Sequence, residues 1–274
     1  MHTRPLLRIG ILHGALALAL TANAAAQSVA ASAPDAEATL LSGPARWADS
    51  ARIEIETAHA RADLDRLGHV RAMLERALTR WPDHPDLLHY QGYALYREAA
   101  LRQYVWAEKD VDPILERAQE VLERANDLGA YPETRAILAS VLGQRIASSP
   151  MIRGMTMGPR SGRLFDQALE AAPENPRIWL LSGMSAIFRP KVFGGGLEKA
   201  ESEIRRAIEL FETDAPAPPA PAWGRGEAWL WLGQVLQRQG RVDEARAAYV
   251  KALEYQPGNP WIQETLLPAL DGGH

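Results

Sequence analysis

VKALEYQPGNP (250–260) decides the fold, because the chain repeats its pattern twice more without gaps, as ERALTRWPDHP (75–85) and DQALEAAPENP (166–176). In each copy a Pro stands five residues after the Ala of Ala-Leu, and a second Pro three residues further on. The first Pro has no N–H to donate and disfavours helix in the residue before it, so the helix ends there. The second sits where the next helix can begin, since the first turn has no use for the missing N–H. Each motif therefore predicts a helix end, a tight turn and a helix start. Seven residues after the second Pro comes a small residue, Gly92 or Gly183; Pro132 leads in the same way to Ala139, and Gly233 holds the equivalent slot before Pro257. Glycine inside a helix costs about 1 kcal/mol relative to Ala, so its recurrence there implies that a second helix must come close.

These anchors predict helices near 46–66 with 69–80, 86–104 with 112–127, 133–147 with 161–172, 177–188 with 197–212 and 226–239 with 242–255, and a last helix near 260–270 over the open apolar end. The fold class is all-α: a solenoid of about five antiparallel helix pairs and a C-terminal cap, spanning residues 45–271. The 34 residues of 226–259 (GEAWLWLGQVLQRQGRVDEARAAYVKALEYQPGN) resemble a tetratricopeptide repeat. Trp229, Leu232, Gly233, Gly240, Ala245, Tyr249, Ala252 and Pro257 fall on that family's signature slots, and Leu236 departs, standing where Tyr is usual. The second, third and fourth pairs carry about 14, 10 and 5 additional residues relative to this repeat. RPKVFGGGLEKAESEIRRAIELF (189–211), with the Pro-rich spacer and Ala222-Trp223-Gly224 after it, is similar to a wider group of exported bacterial repeat proteins, which implies a scaffold rather than a reaction.

The 274 residues contain no cysteine and carry a net charge of −4. Disulfides, thiolate metal sites and cysteine nucleophiles are excluded, and a mildly acidic chain argues against nucleic acid as the main partner. Arg4 and Arg8 precede an apolar stretch, Ile9 to Ala22, too short for a membrane span. Ala24 and Ala26 then form a small-x-small pattern. We therefore expect residues 1–26 to be a cleavable signal peptide, Gln27 to start the mature chain, and 27–44, rich in Ala, Ser and Pro, to be a flexible segment. The expected location is the periplasm or outside the cell.

No catalytic constellation emerges. The histidines lack metal-site spacing, Ser140, Ser161 and Ser185 lack a nucleophile elbow, and carboxylate pairs such as Glu54 with Glu56 point apart on a helix. Neither a cofactor nor a metal is expected. The tetratricopeptide resemblance implies a concave face lined by first-helix side chains that holds a protein or peptide. The residues on the lining slots are His59, Asp63, His89, Tyr93, Tyr96, Arg97, Ser140, Gln144, Met184, Gln234 and Arg238. Tyr93, Tyr96 and Arg97 share one helical face and are types favoured at binding hot spots; the alternative is that they pack beneath the inserted 104–112 segment. A second candidate is the stretch 148–163, read as a loop, with Met151, Arg153, Met155, Met157, Arg160 and Arg163 offering adaptable apolar and cationic groups. With the Gly194–Gly196 turn between Lys191 and Lys199, it would close a small-molecule pocket as an alternative function.

Overall fold

The computed structural model describes residues 43–147 and 150–272; the expected signal peptide and residues 27–42 lie outside that range. Five antiparallel helix pairs follow one another: α1 (Gly43–Ala60) with α2 (Leu64–Arg80), α3 (Pro85–Tyr104) with α4 (Asp112–Asp127), α5 (Pro132–Ile146) with α6 (Pro150–Ala171), α7 (Pro176–Phe188) with α8 (Leu197–Phe211), and α9 (Arg225–Arg238) with α10 (Val242–Tyr255). A π-helical turn, Trp261–Leu266, leads into α11 (Leu267–Asp271), and its buried Ile262 and Leu266 cover the last pair. Pro85, Pro132 and Pro176 open α3, α5 and α7 as the repeated motif requires.

Each glycine of the small-residue slot is a point of helix contact. A Cβ on Gly92 would stand 2.5 Å from Leu122 Cγ, one on Gly183 would stand 2.7 Å from Ile204, and one on Gly233 would meet the Tyr249 ring. The alanines opposite, Ala125, Ala207 and Ala252, are fully buried. The seam of every such pair is thus a backbone-to-side-chain approach that only a missing methyl permits.

Two regions differ from the sequence expectation, the first of them at both the end of α1 and the start of α2, which is Leu64 rather than near 69. The first helix ends at Ala60 rather than near 66, because Ala62 takes a positive φ of 55° and Asp63 caps α2, accepting a 2.9 Å bond from the Arg66 N–H. Asp63 is therefore a helix cap in this structure and not a lining residue. The stretch 148–163 is not a loop either: from Pro150 onward it forms the first half of α6. Gly154, Gly158, Pro159 and Gly162 argue locally against helix, and Pro159 cannot return the usual bond to the Met155 carbonyl. A stripe through Met157, Ser161, Leu164, Phe165 and Ala168 overrides them by packing on the core, and the Ser161 hydroxyl donates to the Ala139 carbonyl at 2.8 Å.

Candidate functional site: the concave face

Tyr93 and Arg97 stand one turn apart on α3, and both are buried. They are not beneath the 104–112 segment. What covers them comes from the far end of the chain, the stretch between α8 and α9 and the first turn of α9. Arg97 grips Glu227 of α9 with two parallel bonds, Nη1 to Oε1 at 2.7 Å and Nη2 to Oε2 at 2.5 Å. Its Nε donates to the Tyr93 hydroxyl at 2.8 Å, and that hydroxyl donates to Glu56 of α1 at 2.6 Å. The guanidinium lies 5.1 Å over the Trp223 ring, and Trp223 stacks on Tyr93 at 5.1 Å and 22°. Cation–π and stacking contacts of this kind add to the ion pair in a water-free setting.

Electrostatics follow from that burial. Burial favours the neutral acid at Glu227, but the Arg97 charge and its two hydrogen bonds outweigh it and hold the carboxyl below its ordinary range. At Glu56 burial wins over Arg97, and the carboxyl is held above its ordinary value. Burial, helped by Arg97, pushes His59 down to about 3. The neutral ring takes a 3.5 Å contact from Arg97 Nη1 on Nε2, which leaves the proton on Nδ1. His89, pushed down to about 3 by burial, meets the Thr134 hydroxyl through Nδ1 at 2.9 Å. His59 Nδ1, His89 Nε2 and the Trp223 indole nitrogen are all buried without a hydrogen-bond partner, a condition that costs roughly 1–3 kcal/mol per group.

The segment joining α8 to α9 crosses this face at three anchors. Asp214 takes paired bonds from Arg177 at the start of α7, both 2.7 Å, and Arg177 also reaches Glu133 at 3.0 Å. The Pro219 carbonyl accepts from the hydroxyls of Tyr90 on α3 and Tyr131 at the start of α5. Trp223 is the third anchor. Residues 214–224 thus run from the fourth pair back to the second, with Pro221 and Trp223 buried and Ala222 exposed between them.

Of the sequence-chosen lining residues, the structure gathers His59, His89, Tyr93, Tyr96 and Arg97 around this centre, with His59 half-buried and the other four buried rather than lining an open groove. Tyr96 is held 5.8 Å from the Arg97 guanidinium. Ser140 is buried, with its hydroxyl turned back to the Ala136 carbonyl at 2.9 Å. Gln144, Met184 and Gln234 are half-buried, and Arg238 is exposed, 5.0 Å over the Phe188 ring. There Tyr104, Phe188, Trp231 and Trp261 form a ring cluster with neighbouring centroids 6.0–6.5 Å apart.

The second candidate dissolves into helix and turn. Arg153 pairs with Asp112 at 2.5 Å and Arg160 with Glu123 at 2.8 Å, so these cations bind α4 rather than a ligand. Met157 packs on the core, Met151 and Met155 are 87% and 82% exposed, and Arg163 is exposed on the same helix. The N–H groups of Gly194, Gly195 and Gly196 donate to the carbonyls of Lys191, Pro190 and Ala186 at 2.9, 3.1 and 2.8 Å. These three glycines have no donor left for an anion, and they serve backbone geometry: φ is +75° at Gly194 and +110° at Gly196. Among the described residues no three His, Cys, Asp or Glu side chains converge as a metal site, and no helix is long and apolar enough to cross a membrane.

Sequence reasoning missed Glu56, Tyr90, Tyr131, Trp223 and Glu227. One signal was legible: Trp223 is a lone aromatic inside an Ala/Pro spacer, and Glu227 lies four residues before Trp231 on the same helical face.

Comparison with known proteins fits this architecture. The tetratricopeptide repeat pattern matches residues 226–259. Those 34 residues are a tetratricopeptide repeat. Among solved structures the chain is similar to the HusA haemophore from Porphyromonas gingivalis, at 24% identity and TM-score 0.56 over 70% of this chain and 94% of that one. It is also similar to TTC0263, a thermophilic TPR protein in Thermus thermophilus, at 21% identity and TM-score 0.54 over 82% of this chain and 98% of that one. No curated protein matches it. The TPR-type fold of the solenoid is shared with these structures.

Proposed function

We propose that this TPR protein is an exported, non-enzymatic scaffold that holds a protein partner by an extended segment of the partner's chain. The observation that carries this reading is the concave face itself, which already holds the chain's own residues 214–224 through a carbonyl bonded to two tyrosines and an indole stacked on a third. Extended-segment docking uses such backbone bonds for affinity and side-chain contacts for selectivity. The export half of the proposal rests on the Arg4/Arg8 and Ile9–Ala22 leader pattern. A second reading, a small-molecule carrier, is favoured by the four-ring cluster around Trp231. One experiment tests both. The chain is captured from the envelope of the native cell, its N-terminus sequenced and the co-purifying material analysed by mass spectrometry and absorbance. We expect a start at Gln27 and one stoichiometric protein. A retained Met1 defeats the export proposal, and a bound small molecule without a protein favours the carrier.

A further inference from the structure

Residues 214–224 (DAPAPPAPAWG) sit on the concave face as a ligand would. They form no regular secondary structure and lie against the first helices of three successive pairs, α7, α5 and α3. Their contacts are spread along the segment on either side of a turn in which the Ala220 N–H donates to the Ala217 carbonyl at 2.9 Å: a carboxylate to Arg177, a carbonyl to Tyr90 and Tyr131, an indole against Tyr93 and Arg97. Four prolines in eleven residues restrict the conformations of such a segment in its free state and lower the entropy lost on docking.

The fit is incomplete at its deepest point. The indole N–H of Trp223 has no acceptor, and His59 Nδ1 and His89 Nε2 have no partner, although Trp223 is only 3% exposed and His89 is fully buried. A ligand native to the pocket would satisfy these groups; a segment that is present because it is tethered need not. A short tether supplies an effective concentration of about millimolar, enough to keep an imperfect ligand seated.

We propose that residues 214–224 are a tethered occupant of the partner site, and that the partner replaces them with a proline-containing segment bearing one aromatic residue at the Trp223 position and a hydrogen-bond acceptor beside it. Displacement leaves Tyr90, Tyr131 and Tyr93 to receive the incoming chain. The proposal rests on the scaffold reading for the existence of a partner, while the self-occupied site is independent of who that partner is.

The test uses the full chain and a fluorescein-labelled synthetic peptide of residues 214–224. In Trp223→Ala the tethered occupant has lost its main anchor, so the peptide should bind at least tenfold tighter than to the parent by fluorescence anisotropy. A peptide with its own Trp replaced by Ala should not show that gain. A folded Trp223→Ala protein that binds the peptide no better than the parent overturns the proposal. If Trp223→Ala loses its helical circular dichroism, the parent is examined by hydrogen exchange with the peptide in excess. Faster exchange at Ala220, Ala222 and Trp223 then supports displacement, and unchanged exchange overturns it. Capture of one protein from the envelope together with a failed peptide test would leave the scaffold standing and remove only the tethered occupant.

Discussion

The seams within helix pairs and the centre of the concave face are both buried, yet they are built from opposite materials. A seam is glycine against a side chain: Gly92 on Leu122, Gly183 on Ile204, Gly233 on Tyr249. The centre is charge against ring: Arg97 and Glu227 between Tyr93 and Trp223. A seam joins helices adjacent in the chain and excludes volume. The centre joins pairs far apart in the chain and excludes water from ions. The seam tolerates nothing larger, whereas the centre tolerates no unpaired charge.

The largest effect should come from breaking the centre on one side only. Glu227→Ala leaves a buried guanidinium without its carboxylate, which typically costs about 3–5 kcal/mol. The Arg97→Met, Glu227→Met double variant should recover most of that, since well-packed apolar substitutes for a buried pair are often neutral or better. Urea unfolding of the three proteins reads this directly, and a Glu227→Ala protein as stable as the parent would show that the pair contributes no net stability.

Next in size is the seam. Gly233→Leu forces a side chain into the Tyr249 ring, and overpacking of this kind costs about 1–3 kcal/mol. Gly68 on α2 is the internal contrast: nothing lies within 4 Å of the Cβ it lacks. Gly68→Ala should therefore stabilise, by up to about 1 kcal/mol. Thermal melts that rank the two alike would mean that the seam is not a packing constraint.

The smallest effect is a slope. His89 has a folded value of about 3, below the usual 6.5. Between those values the unfolded chain binds a proton that the folded chain refuses. The stability contributed by the neutral ring is complete above pH 6.5 and is lost as pH falls toward the folded value, at up to about 1.4 kcal/mol per pH unit. Glu227, held low, adds the same sign at more acid pH, and Glu56, held high, the opposite one. Between about pH 6 and pH 5, the stability of His89→Phe should change by roughly 1 kcal/mol less than that of the parent. Equal slopes would mean that His89 titrates normally.

The same contrast explains what the sequence disclosed. Seams are written as a repeated local pattern, Ala-Leu, two prolines and a small residue at a fixed distance, so the pairs and the C-terminal cap were legible from one chain. The centre is written nowhere locally. Tyr93 and Arg97 occupy slots that face solvent in an open solenoid, and only the return of Trp223 and Glu227 buries them. That return passes through an Ala/Pro spacer with no periodicity to read. Helix α6 failed for a related reason. Gly154, Gly158, Gly162 and Pro159 are local signals for a loop, and the stripe from Met157 to Ala168 outweighs them only because α5 is there to receive it.

The Arg97–Glu227 bond spans 130 residues, and this changes how the array should come apart. A repeat array whose units touch only their neighbours can shed its end units one at a time. Here the second and fifth pairs share one ion pair, so neither can fray without stranding a charge inside the other. The second pair and the last are tied, so everything between them should unfold as one event rather than by unravelling from the C-terminal end. Assembly carries the matching cost: the tie forms only after everything between residues 97 and 227 is in place, which raises contact order and slows the last step of folding.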